Sequence, residues 1–417
     1  SSISIFPYED IIKSCGDHFQ LITERIPNFN WAGGTSRPRY FQIRGIGERS
    51  HYFGEGPPNF SVGFNLDDLD LSGLGMTGQL YDIEQIEVLK GPQSSVYGAN
   101  AIAGVISIMS KDPDDILDAG LSVDIGEYAY KNLRLYSNFP LVKNKLSMRL
   151  NFGSSYHDGY RKNIYRSVSN SNNRNEQFYR LKLKLQTSKK FNFLITALYS
   201  KLDNGYDSWA PDNNTQFNTY TDDIGKDSQM TKGISMRTNL LLSDNLKILS
   251  ISSITKTDLT HSYDSDWAND TYWLENHNFD PTVYGYSYKF FDKNVKKRNN
   301  ITQEIRTSFW KGEHRFISGV YFKNLTEIDT ASGYLYGGEA NQASSEFNFD
   351  AYAAYFKGKI HLNDKIVADA NIRFEKNIYD YSGVSQYNFY DFFELPSVDF
   401  EIDTDMIGFK SSLLYSP

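Results

Sequence analysis

One cysteine, Cys15, occurs in 417 residues. That excludes an intramolecular disulfide and any cysteine-based zinc centre, and it leaves the redox compartment unspecified. No apolar run approaches the roughly 20 residues a membrane helix needs. The smoothest, Ala101 to Met109, is a short stretch inside "IEVLKGPQSSVYGANAIAGVISIMSKDP". Basic charge is also scarce: 43 Lys and Arg stand against 51 Asp and Glu, for a net charge of −8. The footprint that nucleic-acid phosphates require is therefore missing. The opening "SSISIFPYEDIIKSC" has neither a basic n-region nor an apolar h-region, so no signal peptide is visible and a processed or truncated product is expected. Enzyme signatures are lacking too. The seven His include no HExxH, "GSSYHDG" is not a nucleophile elbow, and "RGIGERS" lacks the Lys-Ser/Thr ending of a phosphate loop. Asp222-Asp223 is a carboxylate pair that reads as part of a solvated loop. The chain is not expected to be an enzyme, nor to carry a cofactor or a resident metal.

Aromatic residues, by contrast, are plentiful: 30 Tyr and 28 Phe, with a mean hydropathy of −0.52. Apolar surface is thus scattered through a polar chain that is too long for one ordinary core. The character changes near Asp118. Before it, Gly and Pro are dense ("WAGGTSRPRYFQIRGIGERSHYFGEGPPNF") and short apolar runs such as "FQIRGI" and "QIEVLK" predict a small mixed α/β unit with long loops. After it, alternation takes over. Leu146, Met148, Leu150 and Phe152 share one parity against Ser147, Arg149 and Asn151. Tyr179, Leu181, Leu183 and Leu185 oppose Arg180, Lys182 and Lys184, and Ile366 to Phe374 repeats the pattern against Asp369, Asn371, Arg373 and Glu375. Each segment is a strand with one apolar and one charged face.

Short connections at 140–144, 187–190, 243–246, 311–313 and 362–364 alternate with long polar ones near 156–175, 203–231, 260–298, 327–346 and 377–403. An up-and-down antiparallel sheet with one trimmed and one elaborated rim gives that rhythm, as in outer-membrane barrels. About twelve strands of about 10 residues fit after residue 118, each long enough to cross a bilayer at a tilt. A soluble sandwich or propeller would place polar residues outside and a dry core inside. Here one parity holds Arg149, Lys182, Lys184, Arg237, Glu304, Arg306, Asp369 and Arg373, too much charge for such a core.

Three ordered blocks carry a family resemblance: "IRG" at Ile43 to Gly45, the strand end Asp68 to Gly73, and "EQIEVLKGPQSSVYGANAIAGVISI". Together they resemble the plug domain of TonB-dependent outer-membrane receptors. "NITQEIRTSFWKGEHRFISGVYF" (300–322) resembles a hairpin of their barrels. The resemblance implies a plug over 1–117 and the N-terminal part of a β-barrel over 118–417, about 12 of 22 strands, in the outer membrane of a Gram-negative cell. It makes "AIAGVISIM" a central plug strand buried on both faces. Two departures stand out: Lys90 replaces the usual Arg before "GP", and Asp67-Asp68 replaces the usual Asp-Gly. Lys offers a point charge where Arg offers a fork, so Arg44 is the preferred partner for Glu304. Arg44, Glu87, Lys90 and Glu304 are the expected plug-to-barrel contacts.

The same resemblance implies uptake of a scarce nutrient, most often a ferric siderophore, with energy coupled through TonB and its inner-membrane complex. Cobalamin, haem or an oligosaccharide are alternatives within the family. A passive porin or adhesin is the alternative outside it, and would need no plug. Expected ligand contacts are Arg49, His51, Tyr52, Phe53, Gln79 and Tyr81 in apical plug loops, and Trp267, Tyr272 and Trp273 in the 260–298 loop, whose rings suit an aryl group or a sugar face. Tyr286 and Tyr288, near a strand end, read equally as an aromatic girdle at the membrane interface.

Overall fold

The computed structural model describes residues 3–13, 18–32, 35–48, 60–75, 80–91, 101–335, 338–385 and 397–415. Two sheets dominate, one inside the other.

The inner one is built from β1 (Ile3–Pro7), β4 (Val62–Leu66), β5 (Leu69–Asp70), β6 (Ile83–Lys90) and β7 (Gly104–Ser110), in the order β1-β6-β7-β4-β5. Two short helices, α1 (Tyr8–Lys13) and α2 (Phe19–Thr23), and the hairpin β2 (Phe29–Ala32)/β3 (Tyr40–Ile43) accompany it. The apolar run becomes β7, the middle strand, parallel to β4 and antiparallel to β6. Both of its faces are covered, so it carries no alternation. Gly104 opens it at φ +157°, where a Cβ would lie 2.2 Å from Leu89 O and 2.6 Å from Ile43 Cδ1; only glycine admits that approach. The core is a ring cluster, with Phe41 stacked on Phe64 at 5.4 Å and Phe19 edge-on to both, surrounded by Ile22, Ile43, Ile83, Ile86, Val88, Ile106 and Ile108. Each such side chain contributes roughly 1.5–3 kcal/mol on burial.

The outer sheet has twelve strands, all antiparallel to their neighbours. They are β8 (Asp118–Ile125), β9 (Lys131–Val142), β10 (Leu146–His157), β12 (Arg174–Ser188), β13 (Phe191–Gly205), β15 (Lys226–Ser243), β16 (Leu246–Asp264), β17 (Phe291–Lys311), β18 (His314–Leu335), β19 (Gly338–Asn363), β20 (Ile366–Ser385) and β21 (Val398–Tyr415). Two-residue strands β11 (Lys162–Asn163) and β14 (Asn218–Thr219) pair above the rim, and the 265–290 connection holds helices α3 (Asp270–His277) and α4 (Pro281–Tyr284). The short connections fall where the alternation breaks. Among the described residues, two of the long ones, 327–346 and 377–403, are largely strand. Thr326, Ile328 and Thr330 continue one face of β18 while Glu327, Asp329 and Ala331 continue the other. With polar residues on both faces, that extension has no amphipathic signature to betray it.

The outer sheet is amphipathic in the inverted sense. Asn138, Arg149, Arg180, Lys182, Thr196, Ser200 and Thr231 are buried, while Leu150, Leu181, Ile195, Ile234, Ile254, Ile305, Phe374 and Phe409 are exposed. The polar face wraps the inner unit, and Phe178, Leu198 and Leu259 from its wall join the inner core.

Candidate functional site: the interface between the two sheets and the external rim

The turn from β4 to β5 holds the two sheets together. Asp67 and Asp68 both sit in the left-handed region, at φ +49° and +69°, conformations that Asp tolerates better than most residues. The reversal aims consecutive carboxylates outward at different strands. Asp67 is buried and accepts from Ser110 N at 2.9 Å, with Lys182 Nζ at 3.1 Å and Arg180 Nε at 3.8 Å. Asp68 takes a two-pronged contact from Arg237, whose Nε donates at 2.9 Å and Nη2 at 2.7 Å. Asp70 meets Lys323 Nζ at 2.7 Å and accepts from Ser72 N at 3.0 Å. Arg298 donates to Ser72 O at 2.6 Å. A little further on, Arg149 Nε donates to Asp82 Oδ2 at 2.7 Å, and Arg180 Nη2 donates to Tyr81 O at 3.0 Å. The inner unit thus supplies carboxylates and the wall supplies guanidinium and ammonium groups from β10, β12, β15 and β18, with β17 adding a guanidinium to a backbone carbonyl. Charge-assisted hydrogen bonds of this kind are stronger than neutral ones, and removing one partner of a buried pair leaves an uncompensated charge.

Nearer the long-loop rim the polarity reverses. Arg37 is fully buried, donates to Leu74 O at 2.6 Å and faces Asp227 at 3.9 Å. Ser36 donates to the same Asp227 from N at 2.9 Å and from Oγ at 2.7 Å, and Arg174 reaches across to Ser36 O.

Burial alone would raise the pKa of Asp70, but the charge and hydrogen bond of Lys323 and the two bonds from Ser72 outweigh it and hold the carboxyl at about 2. Asp67 is likewise lowered: burial opposes, while Lys182, Arg180 and Ser110 prevail.

None of the four expected contacts forms as anticipated. Glu304 pairs with Arg306 on its own strand at 2.7 Å and accepts from the Tyr355 hydroxyl. A base two residues along the same face satisfies it before any inner-unit residue can. Arg44 is exposed at φ +56°, in the turn after β3, beside Gly91. Lys90 is buried, and its ammonium donates to Pro27 O at 3.3 Å, inside its own unit. Glu87 accepts from Gln85 on the same face of β6. Glu87 and Glu304 do line one cavity of about 410 Å³ between the sheets, together with Asp68, Arg237, Arg306 and Lys323. The true partners, Asp67, Asp68, Asp70 and Asp82, were signalled by the Asp-Asp departure at 67–68 and by the run of bases on the buried parity.

Of the expected ligand contacts, Arg49, His51, Tyr52, Phe53 and Gln79 lie outside the described residues. Ser61 donates from N at 2.7 Å and Oγ at 2.8 Å to Glu48, which brings together the two ends of the 49–60 segment. Tyr81 does not stand in an apical loop. Its ring lies 5.4 Å under Arg134 and 6.0 Å from Tyr136, against the wall.

Trp267, Tyr272 and Trp273 share the loop above the rim, with Tyr272 and Trp273 edge to face at 5.5 Å. Asp264 accepts from Trp267 N at 2.9 Å and Asp222 N at 3.1 Å; Asp266 accepts from Trp273 Nε1 at 3.2 Å and Phe290 N at 2.8 Å. Asn269 caps α3 by accepting from Tyr272 N at 2.9 Å and donates to Tyr220 O at 2.7 Å, tying the 206–225 and 265–290 loops together. Trp267 stacks on Trp209 at 5.8 Å with both rings well exposed. Tyr288 packs on Trp273 at 4.8 Å and Tyr286 on Phe279 at 5.6 Å. Tyr288 and Tyr286 thus pack on rings of the loop itself, Tyr286 remaining exposed. Burial raises the pKa of Asp266 here. Asp222, Asp223 and Asp264 bring carboxylate oxygens within 4.8 Å of one another, and Lys289 already places its ammonium 3.3 Å from Asp222 and 3.2 Å from Asp223.

A small apolar sheet clamped by ion pairs inside a larger sheet of inverted polarity narrows the comparison to few families. The model of the TonB-dependent Receptor Plug Domain family matches residues 1–105. Residues 1–105 are a TonB-dependent receptor plug. Among curated proteins, the chain is 31% identical over 164 residues to the ferric enterobactin receptor of Pseudomonas aeruginosa, a match covering 36% of this chain and 20% of that receptor. Among solved structures, the ferric yersiniabactin uptake receptor FyuA from Yersinia pestis superposes with a TM-score of 0.83 at 15% identity, over 99% of this chain and 62% of that one. The ferric-catecholate import receptor Fiu from E. coli K12 gives 0.74 at 14% identity, over 100% of this chain and 67% of that one. The fold beyond the plug is therefore that of part of such a receptor's barrel, and the match spans about a fifth of the curated relative's length.

Proposed function

We propose that this chain is the plug, over 1–117, and the N-terminal barrel strands, over 118–417, of an outer-membrane receptor that imports a ferric siderophore with energy coupled through TonB. The observation that carries the reading is the clamped plug. A passive pore has no use for a folded unit held in its lumen by buried pairs such as Asp82–Arg149 and Asp67–Lys182. Support for the siderophore comes from the ferric siderophores that the similar receptors take up and from the aromatic rim at Trp209, Trp267, Tyr272 and Trp273. In this reading Arg49, His51, Tyr52, Phe53 and Gln79 approach the ligand from the plug side and the rim rings approach it from outside.

The test uses the full-length gene in iron-limited and iron-replete cells. Induction under iron limitation with tight ferric-siderophore binding is expected, and Arg49→Ala with His51→Ala should lower uptake while leaving outer-membrane abundance intact. Constitutive expression without such binding would shift the substrate to cobalamin, haem or an oligosaccharide.

A further inference from the structure

We propose that four outward-facing lysines, Lys201, Lys232, Lys256 and Lys297, form a docking site for the phosphorylated headgroups of a membrane lipid. They stand on four successive strands, β13, β15, β16 and β17, and all are exposed. The register places them side by side. Lys232 is directly opposite Lys256, Lys201 is opposite Met230 next to Lys232 on that face, and Lys256 is opposite Asn299, two residues from Lys297. Residues two apart on a strand share a face, so exposed apolar side chains stand below the lysines: Ile195 below Lys201 past the half-buried Tyr199, Ile234 below Lys232, Ile254 below Lys256, and Ile301 below Lys297 past Asn299.

Lysines directly opposite one another repel, and none of these four has an ion-pair partner among the described residues. Asp258 is opposite Lys297, and Asp203 is taken by Lys226 at 3.1 Å. The belt therefore keeps an excess of positive charge at the upper edge of an apolar band. A ligand that fits has anionic groups at the height of the ammonium groups and hydrocarbon below, which is the shape of a phosphorylated lipid. The far side of the same sheet shows the contrast. There the outer face of β19, β20 and β21 carries Asp350, Asp380, Glu401, Asp403 and Asp405 at comparable positions, with Lys376 paired to Asp403 at 2.8 Å. Lipid phosphate is drawn to one arc of the wall and repelled from the other.

The inference rests on the outer-membrane reading, and the experiment separates the two. The full-length receptor is first floated with vesicles of phosphatidylcholine containing phosphatidylglycerol, then extracted in non-ionic detergent, and its co-purifying lipid phosphorus is measured by mass. Removing a lysine near an anionic surface weakens binding about fivefold, so Lys232→Gln with Lys256→Gln should lower retained phospholipid by about 25-fold, while Asp350→Asn with Asp380→Asn leaves it no lower. Wild-type protein that floats but retains the same lipid as K232Q/K256Q overturns the docking site alone. Wild-type protein that fails to float overturns the membrane reading beneath it. Should the lysine variant not assemble, a salt titration of the wild type decides the matter: release of phospholipid with rising salt supports the belt, and salt-independent retention overturns it. Equal competition by inorganic phosphate at the concentration of the lipid also counts against a lipid site.

Discussion

In the plug sheet the buried side chains are Phe64, Ile86, Val88 and Ile106; in the barrel sheet they are Asn138, Arg149, Lys182 and Thr231. Both sheets obey the same period-two geometry. What differs is the solvent on the far side. The plug has polar surroundings and folds its apolar residues inward, whereas the barrel sheet has hydrocarbon outside and turns its apolar parity outward. The two then meet largely polar face to polar surface, with Phe178, Leu198 and Leu259 of the wall as the apolar exceptions, so ion pairs carry much of their joint. A unit built this way keeps its own fold by apolar packing and is held to the wall in large part by charge.

The largest effect should come from the plug interior. Phe64 contacts Phe41 and Phe19 in a closed cluster, and Phe64→Ala should cost about 4 kcal/mol of plug stability. Limited proteolysis of the full-length receptor would show a plug cut to fragments inside an intact barrel. A plug that remains resistant would mean that the wall, and not the core, keeps it folded.

Next comes the joint itself. Arg149→Leu strands Asp82 without its guanidinium and should weaken plug docking by about 3 kcal/mol. Adding Asp82→Asn should restore most of that loss, because the uncompensated charge goes with it while Asn keeps the left-handed backbone at φ +58°. Hydrogen exchange of 80–91 in the single and double variants reads both numbers. If the double variant is as loose as the single, the pair contributes attraction beyond its desolvation cost, and the joint is stickier than the comparison allows.

The lipid face makes the third contrast. Ile305 is exposed on β17 opposite Val320, and Ile305→Arg should cost about 2 to 3 kcal/mol in bilayers but almost nothing for a face in water. Assembly yield measured against Ile108→Leu in the plug, a volume-conserving change, separates the two environments.

Much of this arrangement was legible before any coordinates. The alternation at 146–152, 179–185 and 366–374 identified the strands, their faces and their inverted polarity, because periodicity records a face whatever lies against it. The apolar Ala101–Met109 run identified the plug's middle strand for the complementary reason, two covered faces. The pairing of charges across the joint was not legible. Arg44 and Glu304 are the right residue types, but sequence gives no height along a strand, and Arg306, two residues from Glu304, was a nearer partner than any plug residue. The extensions of β18 and β19 above the membrane were hidden because both of their faces are polar.

The smallest effect separates plug from barrel by protonation alone. Against the cost of burial, Lys323 and Ser72 hold the Asp70 carboxyl at about 2, below its ordinary 3.8. Its pKa is depressed on docking, so the stabilisation is fully present above about pH 4 and is lost as pH falls through about 2. The shift corresponds to about 2 kcal/mol. Plug protection in the full-length receptor should therefore fall between pH 4 and 2 while the plug's own ring cluster stays intact, and Lys323→Met should remove that acid limb by removing the charge that sets it. Persistence of the limb in Lys323→Met would assign it to Asp67, which Lys182 and Arg180 hold low in the same way. The joint would remain electrostatic, with its weight moved from β18 to β12.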